Sequence, residues 1–359
     1  MLLLVLISVF IFFLLNLLMI YSARKVFYRT INKNQNVNIS IVIAARNEIN
    51  NIELLIAALE KLDYPPDKYE VMIVDDNSTD NTFEKIKSEI TSQQNFYVKE
   101  LETIDKHGKR DALFFGVANA KFSNILITDA DCHPQLNWLI ACSSRFSEGY
   151  DMIFGIAPFY QHKNFVNKIS CFENLRSSFL SVCFASIGLA YTATARNFGF
   201  TKNSFYSIGG YTQTKDTLSG DDDLLLREAV KKELRIGIVT DPGSFVYSET
   251  KKTFKEYLNQ KARHTQTSLH YLKKHKLILG FWHILNLLFL FSPLLMFFNL
   301  MFGILLPVKL LSDYLVNAFF QKKLDYKFSF AELISLQILY EVFIVIHFFN
   351  ASFFKIKWK

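Results

Sequence analysis

The chain predicts an α/β protein: a doubly wound, mostly parallel sheet of Rossmann-like type, with transmembrane helices at both ends. Three observations carry this expectation. From residue 38 to about 270, short runs of β-forming apolar residues alternate with segments of helical period, the order from which parallel sheets are built. Leu2 to Ile20 is almost purely apolar, broken only by Ser8 and Asn16, and is about long enough to cross a bilayer as one helix. Long apolar stretches return after Lys273-Lys-His-Lys276.

At the N-terminus the charges follow the apolar run, at Arg24, Lys25 and Arg29, and no cleavage pattern comes after it. A retained anchor over residues 1–23 therefore fits better than a secretory signal. Ile39 to Ala45 is a continuous apolar run of the kind that forms a buried parallel strand. Ile49, Ile52, Leu55, Ile56, Leu59 and Leu62 then keep helical spacing, and Tyr64-Pro-Pro66 stops that helix. Tyr69 to Val74 predicts the second strand. Ser78 or Asn77 is a candidate cap for a helix with Phe83, Ile86 and Ile90 on its apolar face. Phe96 to Leu101 predicts a third strand, Asp111 to Ala120 a short helix, and Asn124 to Thr128 a fourth strand. The resulting β-α-β-α-β-α-β order implies right-handed crossovers.

Beyond this soluble stretch, Leu277 to Val308 is too long for one span and contains Pro293 and Pro307. The region 277–320 holds either two spans, the second carrying Lys309 and Asp313, or an interfacial helix and one span. A last span over 331–354 precedes the basic end Lys355-Ile-Lys-Trp-Lys359. The expected organisation is thus an anchor at 1–23, a catalytic domain at 38–270, transmembrane or interfacial helices at 277–320 and a final span at 331–354. Basic residues flank the middle at Arg24 to Lys33 and Lys273 to Lys276, which puts it in the cytosol of an integral protein of the inner or plasma membrane. The net charge of +7 fits contact with anionic membrane lipids. It does not favour nucleic acid, because the excess lies beside apolar spans and not along a soluble face. Cysteines 132, 142, 171 and 183 form no Cys-x-x-Cys pair and read as unpaired thiols of a reducing compartment.

Ligands of such sheets bind outside the carboxyl ends of the strands, and the polar clusters sit there: Ala44 to Glu48, Asp75 to Asp80, and Asp129 to Asp131. Two carboxylates at i and i+2, Asp129 and Asp131, suit a hard divalent cation, and Mg²⁺ typically takes one or two carboxylates together with substrate phosphates. No glycine-rich phosphate loop follows any strand, so a dinucleotide fingerprint and a Walker loop are both absent. Phosphates would fall to metal and to Arg46, Lys109 and Arg110. The run Lys106 to Arg110 has a plainer reading as a solvated loop, and His107 reads as a surface histidine. Downstream, Asp221-Asp-Asp223 precedes a helical Leu-Leu-Leu-Arg-Glu. Acids there can serve the helix dipole, but three adjacent carboxylates resist joint ionisation, and one with a raised pKa is a competent general base.

Together these residues resemble the family 2 glycosyltransferases of GT-A fold, over about residues 38 to 270. Ile41-Val-Ile-Ala-Ala-Arg-Asn-Glu48 resembles the strand and loop that hold the nucleotide, which implies roles for Ala44, Arg46 and Glu48. Val74 to Asp80 is similar to the second nucleotide contact, with Asp76 toward the base. Gly108-Lys109 with Ala112-Leu113 resembles the Gly-Lys-x-x-Ala-Leu segment near the nucleotide. Asp129-Ala-Asp131 falls at the family's metal-binding Asp-x-Asp. Ala195-Arg-Asn-Phe-Gly-Phe and Ile208-Gly-Gly-Tyr211 look like the acceptor side. Gly220-Asp-Asp-Asp-Leu224 falls at the catalytic base, Asp221 by alignment and Asp222 next. Gln260-Lys-Ala-Arg263-His264 resembles the Gln-x-x-Arg-Trp motif of membrane polysaccharide synthases, with His264 in place of tryptophan.

The resemblance implies inverting transfer from a nucleotide diphosphate sugar to a lipid-linked or glycan acceptor, with Mg²⁺ or Mn²⁺ on Asp129 and Asp131. Lys109 and Arg263 would add charge at the diphosphate. Other readings are a processive synthase that also secretes its polymer, which His264 disfavours, and a non-catalytic membrane scaffold with a degenerate transferase domain. A nucleotidyltransferase would need a glycine- and arginine-rich N-terminal loop, which Ala44 to Glu48 does not supply.

Overall fold

The structure, a computed structural model, describes residues 2–32, 37–101, 108–214 and 220–353. Lys106, His107 and the basic end Lys355 to Lys359 lie outside the described residues. The chain forms two compact units: one of Arg29–Tyr160 and Thr192–Glu249, the other of Met1–Tyr28, Gln161–Tyr191 and Thr250–Lys359. The stretch 38–270 is thereby shared by both.

In chain order the elements are α1 (Leu2–Phe27), β1 (Ile39–Ala45), α2 (Ile52–Glu60), β2 (Tyr69–Asp75), α3 (Thr82–Glu89), β3 (Phe96–Glu100), α4 (Lys109–Asn119), β4 (Asn124–Ile127), β5 (Cys132–Pro134), α5 (Trp138–Ser147) and β6 (Met152–Gly155). There follow α6 (Phe165–Ser186), β7 (Phe198–Thr201), α7 (Lys202–Ser207), α8 (Asp221–Lys231), β8 (Ile236–Val239), β9 (Val246–Ser248), α9 (Phe254–Ser268), α10 (Lys273–Leu290), α11 (Leu305–Lys323) and α12 (Phe330–Phe353).

The first unit is built on a seven-stranded sheet of order β3-β2-β1-β4-β7-β6-β8, with a two-stranded β5-β9 ribbon beside it. Strands β1, β2, β3 and β4 run parallel, as do β6 and β8, while β7 is antiparallel to both its neighbours. The mostly parallel α/β sheet is thus as the sequence predicts. Ile39, Ile41 and Ile43 pack on one face with Leu55, Ile56 and Leu59 of α2, and Trp138 and Leu139 of α5. Each such buried side chain contributes about 1.5–3 kcal/mol. On the opposite face α4 lies so close that a Cβ on Gly116 would stand 2.4 Å from Cγ1 of Val42, so the helix needs glycine there.

Register decides what meets at the carboxyl edge. Ala45 of β1 pairs with Asp75 of β2, and Val42 pairs with Ile127 of β4. The polar residues that follow each strand therefore emerge side by side. Because β7 runs antiparallel with Phe198 opposite Ile127, its entry segment Thr192 to Asn197 arrives at the same edge.

Several strand and helix ends differ from expectation by a residue, and two differences bear on the carboxyl edge. The cap of α3 is neither Ser78 nor Asn77 but Asn81, in the left-handed region at φ 66°. Asp80 accepts from the Thr82 N–H at 3.1 Å, and Ser78 is committed elsewhere, to Asp75 and the Asn47 N–H. Helix α4 starts at Lys109, two residues before the predicted Asp111, so Lys109 and Arg110 stand in its first turn and not in a loop. Gly108 before it adopts φ 130°, a backbone conformation that L side chains rarely adopt.

The second unit is helical. Among the described residues three helices are long and apolar enough to cross a membrane: Val5–Phe27, Leu300–Lys323 and Phe330–Phe353. Leu3, Phe10 and Leu18 of α1 point outward, as do Phe297, Phe298 and Leu300 between α10 and α11; such apolar surface fits lipid better than water. Between α10 and α11, Pro293 opens a 3-10 turn over Ser292–Phe297. Inside this unit Lys309 is fully buried and donates to Asn286 Oδ1 at 2.6 Å, Asp313 Oδ2 at 2.7 Å and Glu341 Oε1 at 3.2 Å. The charges that made this stretch a poor span by sequence are paired with one another. All four cysteines are buried, and none is in a disulfide.

Candidate active site

The edge of the sheet is organised first by its loops. Asn47, at φ 55°, accepts from the Thr79 N–H at 2.8 Å, while its own N–H donates to Ser78 Oγ at 3.0 Å. The Glu48 N–H donates to Thr82 Oγ1 at 2.9 Å, and its carboxylate accepts from Asn51 at 2.6 Å. Asp75 accepts from the Ser78 N–H and hydroxyl at 2.9 and 2.5 Å. Most acids of the Asp75–Asp80 cluster therefore fold the loop. Asp76 differs. It is buried, its Oδ2 lies 3.3 Å from Arg46, and its Oδ1 accepts from the Gly108 N–H at 3.0 Å. Ala44 sits half-buried near the end of β1, paired with Val74.

Three consecutive residues then meet three separate acids. Gly108 donates to Asp76, the Lys109 ammonium pairs with Asp129 Oδ1, and Arg110 Nε pairs with Asp221 Oδ1. These acids come from the ends of β2 and β4 and the start of α8. One helix N-terminus thus ties together the edges the sequence singled out. Burial works to lower Lys109, but Asp129, with Asp221 and Asp222 beyond it, holds it well above the ordinary lysine range.

Asp129 and Asp131 each offer a carboxylate oxygen, and Cys132 its Sγ, all within 4.8 Å of one another. The Cys132 thiol donates to Asp131 Oδ1 at 3.6 Å. Burial, then Asp129 and Asp131, push that thiol far above its usual range. The two hard carboxylate oxygens fit a divalent cation such as Mg²⁺ or Mn²⁺, which takes its remaining ligands from phosphate and water.

The acidic triplet divides its work. Asp221 faces Arg110, Asp222 Oδ2 accepts from the Ala195 N–H at 2.6 Å, and Asp223 Oδ1 accepts from Thr192 Oγ1 at 2.7 Å and the Ala193 N–H at 3.0 Å. Burial raises Asp221, and Arg110 pulls it part of the way back. Burial and the Asp223 charge raise Asp222.

Sequence reasoning missed two supports. Asp223 holds Thr192 and Ala193, and Arg196 staples the wall behind Asp129. Arg196 donates to Ser248 Oγ at 2.6 Å and Ala157 O at 2.8 Å, stacks over Phe159 at 4.3 Å, and offers its carbonyl to Thr128 Oγ1 at 2.8 Å. Their signal was present only as polar residues next to motif positions. Arg46, Asp76, Lys109, Asp129, Asp131, Asp221 and Asp222 all lie in the sheet unit. Gln260 and Arg263 stand half-buried on α9 of the helical unit, where burial lowers the Arg263 guanidinium.

The family model for glycosyl transferase family 2 matches residues 40–207, and that for glycosyl transferase family group 2 matches residues 124–354. Over 122 residues the chain is 30% identical to glycosyltransferase AglE of Haloferax volcanii, covering 34% of this chain and 40% of the relative. It is 25% identical over 239 residues to the dolichyl N-acetyl-alpha-D-glucosaminyl phosphate 3-beta-D-2,3-diacetamido-2,3-dideoxy-beta-D-glucuronosyltransferase of Methanococcus voltae, covering 62% of this chain and 70% of that one. Among solved structures it is similar to the mannosyltransferase PcManGT from Pyrobaculum calidifontis in complex with GDP-Man and Mn²⁺. That match has TM-score 0.57 and 16% identity, over 96% of this chain and 97% of the other. The likeness is one of fold, and the fold is GT-A.

Proposed function

The chain belongs to the family 2 glycosyltransferases, and from that premise we propose an inverting, metal-dependent membrane enzyme that moves a sugar from a nucleotide diphosphate sugar to a lipid-linked or glycan acceptor. One observation carries the proposal: residues 108–110 join the acid for the nucleotide, the acid for the metal and the acidic triplet at a single edge. The Methanococcus relative acts on a dolichyl phosphate-linked sugar, by its name, and PcManGT is bound to GDP-Man and Mn²⁺. The second supports a nucleotide sugar donor, and the first supports an acceptor delivered from the bilayer.

In this reading Asp76 and Arg46, with Ala44 and Glu48, receive the nucleoside. Lys109 lies against the diphosphate; loss of one such electrostatic partner commonly costs about 10²–10³ in rate. Asp131, assisted by Asp129, would hold Mg²⁺ or Mn²⁺, which supplies charge neutralisation for the leaving diphosphate. The proton of the acceptor hydroxyl goes to one of the paired acids, Asp221 or Asp222, and we assign it to Asp222. Arg110 occupies Asp221 Oδ1, whereas Asp222 spends Oδ2 on a backbone N–H, and burial with the Asp223 charge raises it to about 8. The oxygen so activated attacks the anomeric carbon opposite the leaving diphosphate, which inverts that centre. The apolar helices anchor the enzyme in the inner or plasma membrane with the sheet unit in the cytosol.

The test is to screen purified, detergent-solubilised protein against a panel of nucleotide sugars, reading nucleoside diphosphate release with divalent metal and with chelator. Release that needs metal and a lipid-phosphate or glycan acceptor supports the proposal. Formation of a nucleotide sugar, or no turnover with any donor, rejects it.

A further inference from the structure

Lys109 is paired with one of the two carboxylates that suit a divalent cation, and the pairing has consequences for how that cation arrives. The ammonium sits on Asp129 Oδ1, while Asp131 takes the Cys132 thiol at 3.6 Å. An ammonium and a divalent ion cannot share one carboxylate oxygen without strong repulsion at such short range. A lysine can nevertheless move between partners, because its charge is compact and its four-carbon stem is flexible. Its side chain here is 36% exposed and that of Asp129 27%, so the pair is reached from solvent. Arg110 cannot substitute for it, being committed to Asp221.

We propose that Lys109 gates the metal pair: its ammonium covers Asp129 until a diphosphate draws it away, so that divalent cation and nucleoside diphosphate bind cooperatively. The diphosphate carries more negative charge than one carboxylate and is the stronger partner for the ammonium. Once Lys109 transfers to it, Asp129 is released to join Asp131 beneath the cation. Coupling of this kind commonly amounts to about 5–150-fold in affinity, and it is reciprocal: each ligand tightens the other by the same factor. The inference rests on the assignment of Asp129 and Asp131 as metal ligands.

The test needs no turnover. Mn²⁺ is titrated into the full-length protein in detergent, alone and with UDP or GDP, and free Mn²⁺ is read by electron paramagnetic resonance. Wild type should bind Mn²⁺ weakly alone and about 5–150-fold more tightly with the matching nucleoside diphosphate. Lys109→Gln should bind Mn²⁺ alone more tightly than wild type, with the coupling reduced to the part that direct ligation of Mn²⁺ by the diphosphate supplies. Lys109→Arg, which keeps the cation, should retain most of the coupling. A lysine with only a structural role predicts the opposite for Lys109→Gln, namely Mn²⁺ binding equal to or weaker than wild type; that result overturns the gate while leaving the metal site standing. If Asp131→Asn binds Mn²⁺ as well as wild type, the metal assignment fails and the gate fails with it.

Discussion

Arg110 donates from Nε to Oδ1 of Asp221, tying the first turn of α4 to the first turn of α8 across 111 residues of sequence. In the proposed function the acceptor proton goes to its neighbour Asp222. Asp222→Asn should lower transfer by about 10²–10⁴ with nucleoside diphosphate binding nearly unchanged, and Asp221→Asn should cost less. Steady-state rates beside calorimetric titration of the nucleotide measure both effects, and the reverse ranking returns the base to Asp221.

The acid limb of the pH profile follows from the same triplet. Asp222 must be ionised to act, and burial together with Asp223 raises it, so kcat/KM should fall on acidification well above the ordinary aspartate range. Asp223→Asn removes a negative neighbour, lowers the Asp222 pKa and should move that limb to lower pH. A limb that stays in place in this variant would show that Asp223 does not set it.

Asp131→Ala should weaken nucleoside diphosphate binding when divalent metal is present and leave it unchanged in chelator. An equal loss under both conditions would mean that Asp131 merely shapes the turn into β5.

In the helical unit, Lys309→Met leaves Asp313 and Glu341 buried without their cation. Breaking a buried pair from one side typically costs about 3–5 kcal/mol. The variant should therefore unfold at lower temperature in detergent, while Lys309→Met combined with Asp313→Leu and Glu341→Gln should recover much of the loss. Thermal unfolding followed by tryptophan fluorescence compares them.

Much of the fold was legible in the chain. Ile39–Ala45 was read to the residue, because a strand buried on both faces leaves an unbroken apolar run. The acids at Asp76, Asp129 and Asp131 stood out because each follows such a run directly. The cap of α3 was misread because Ser78 bonds to Asp75 and Asn47, partners set by strand register and not by neighbours in sequence. Lys109 and Arg110 could pass for a solvated loop for a related reason: their acids lie 20 and 111 residues away.

The sequence by itself determined the elements, the apolar spans and the residue types capable of the chemistry, since periodicity, hydropathy and ionisable groups are local properties of the chain. Only the tertiary structure decided which acid serves which cation. Parallel register put three strand ends on one edge, and the antiparallel β7 added a fourth segment there. Within that edge, contact distance and burial separated carboxylates that sequence alone could not tell apart: Asp221 pairs with Arg110, Asp222 accepts from the Ala195 N–H, and Asp223 holds Thr192 and Ala193.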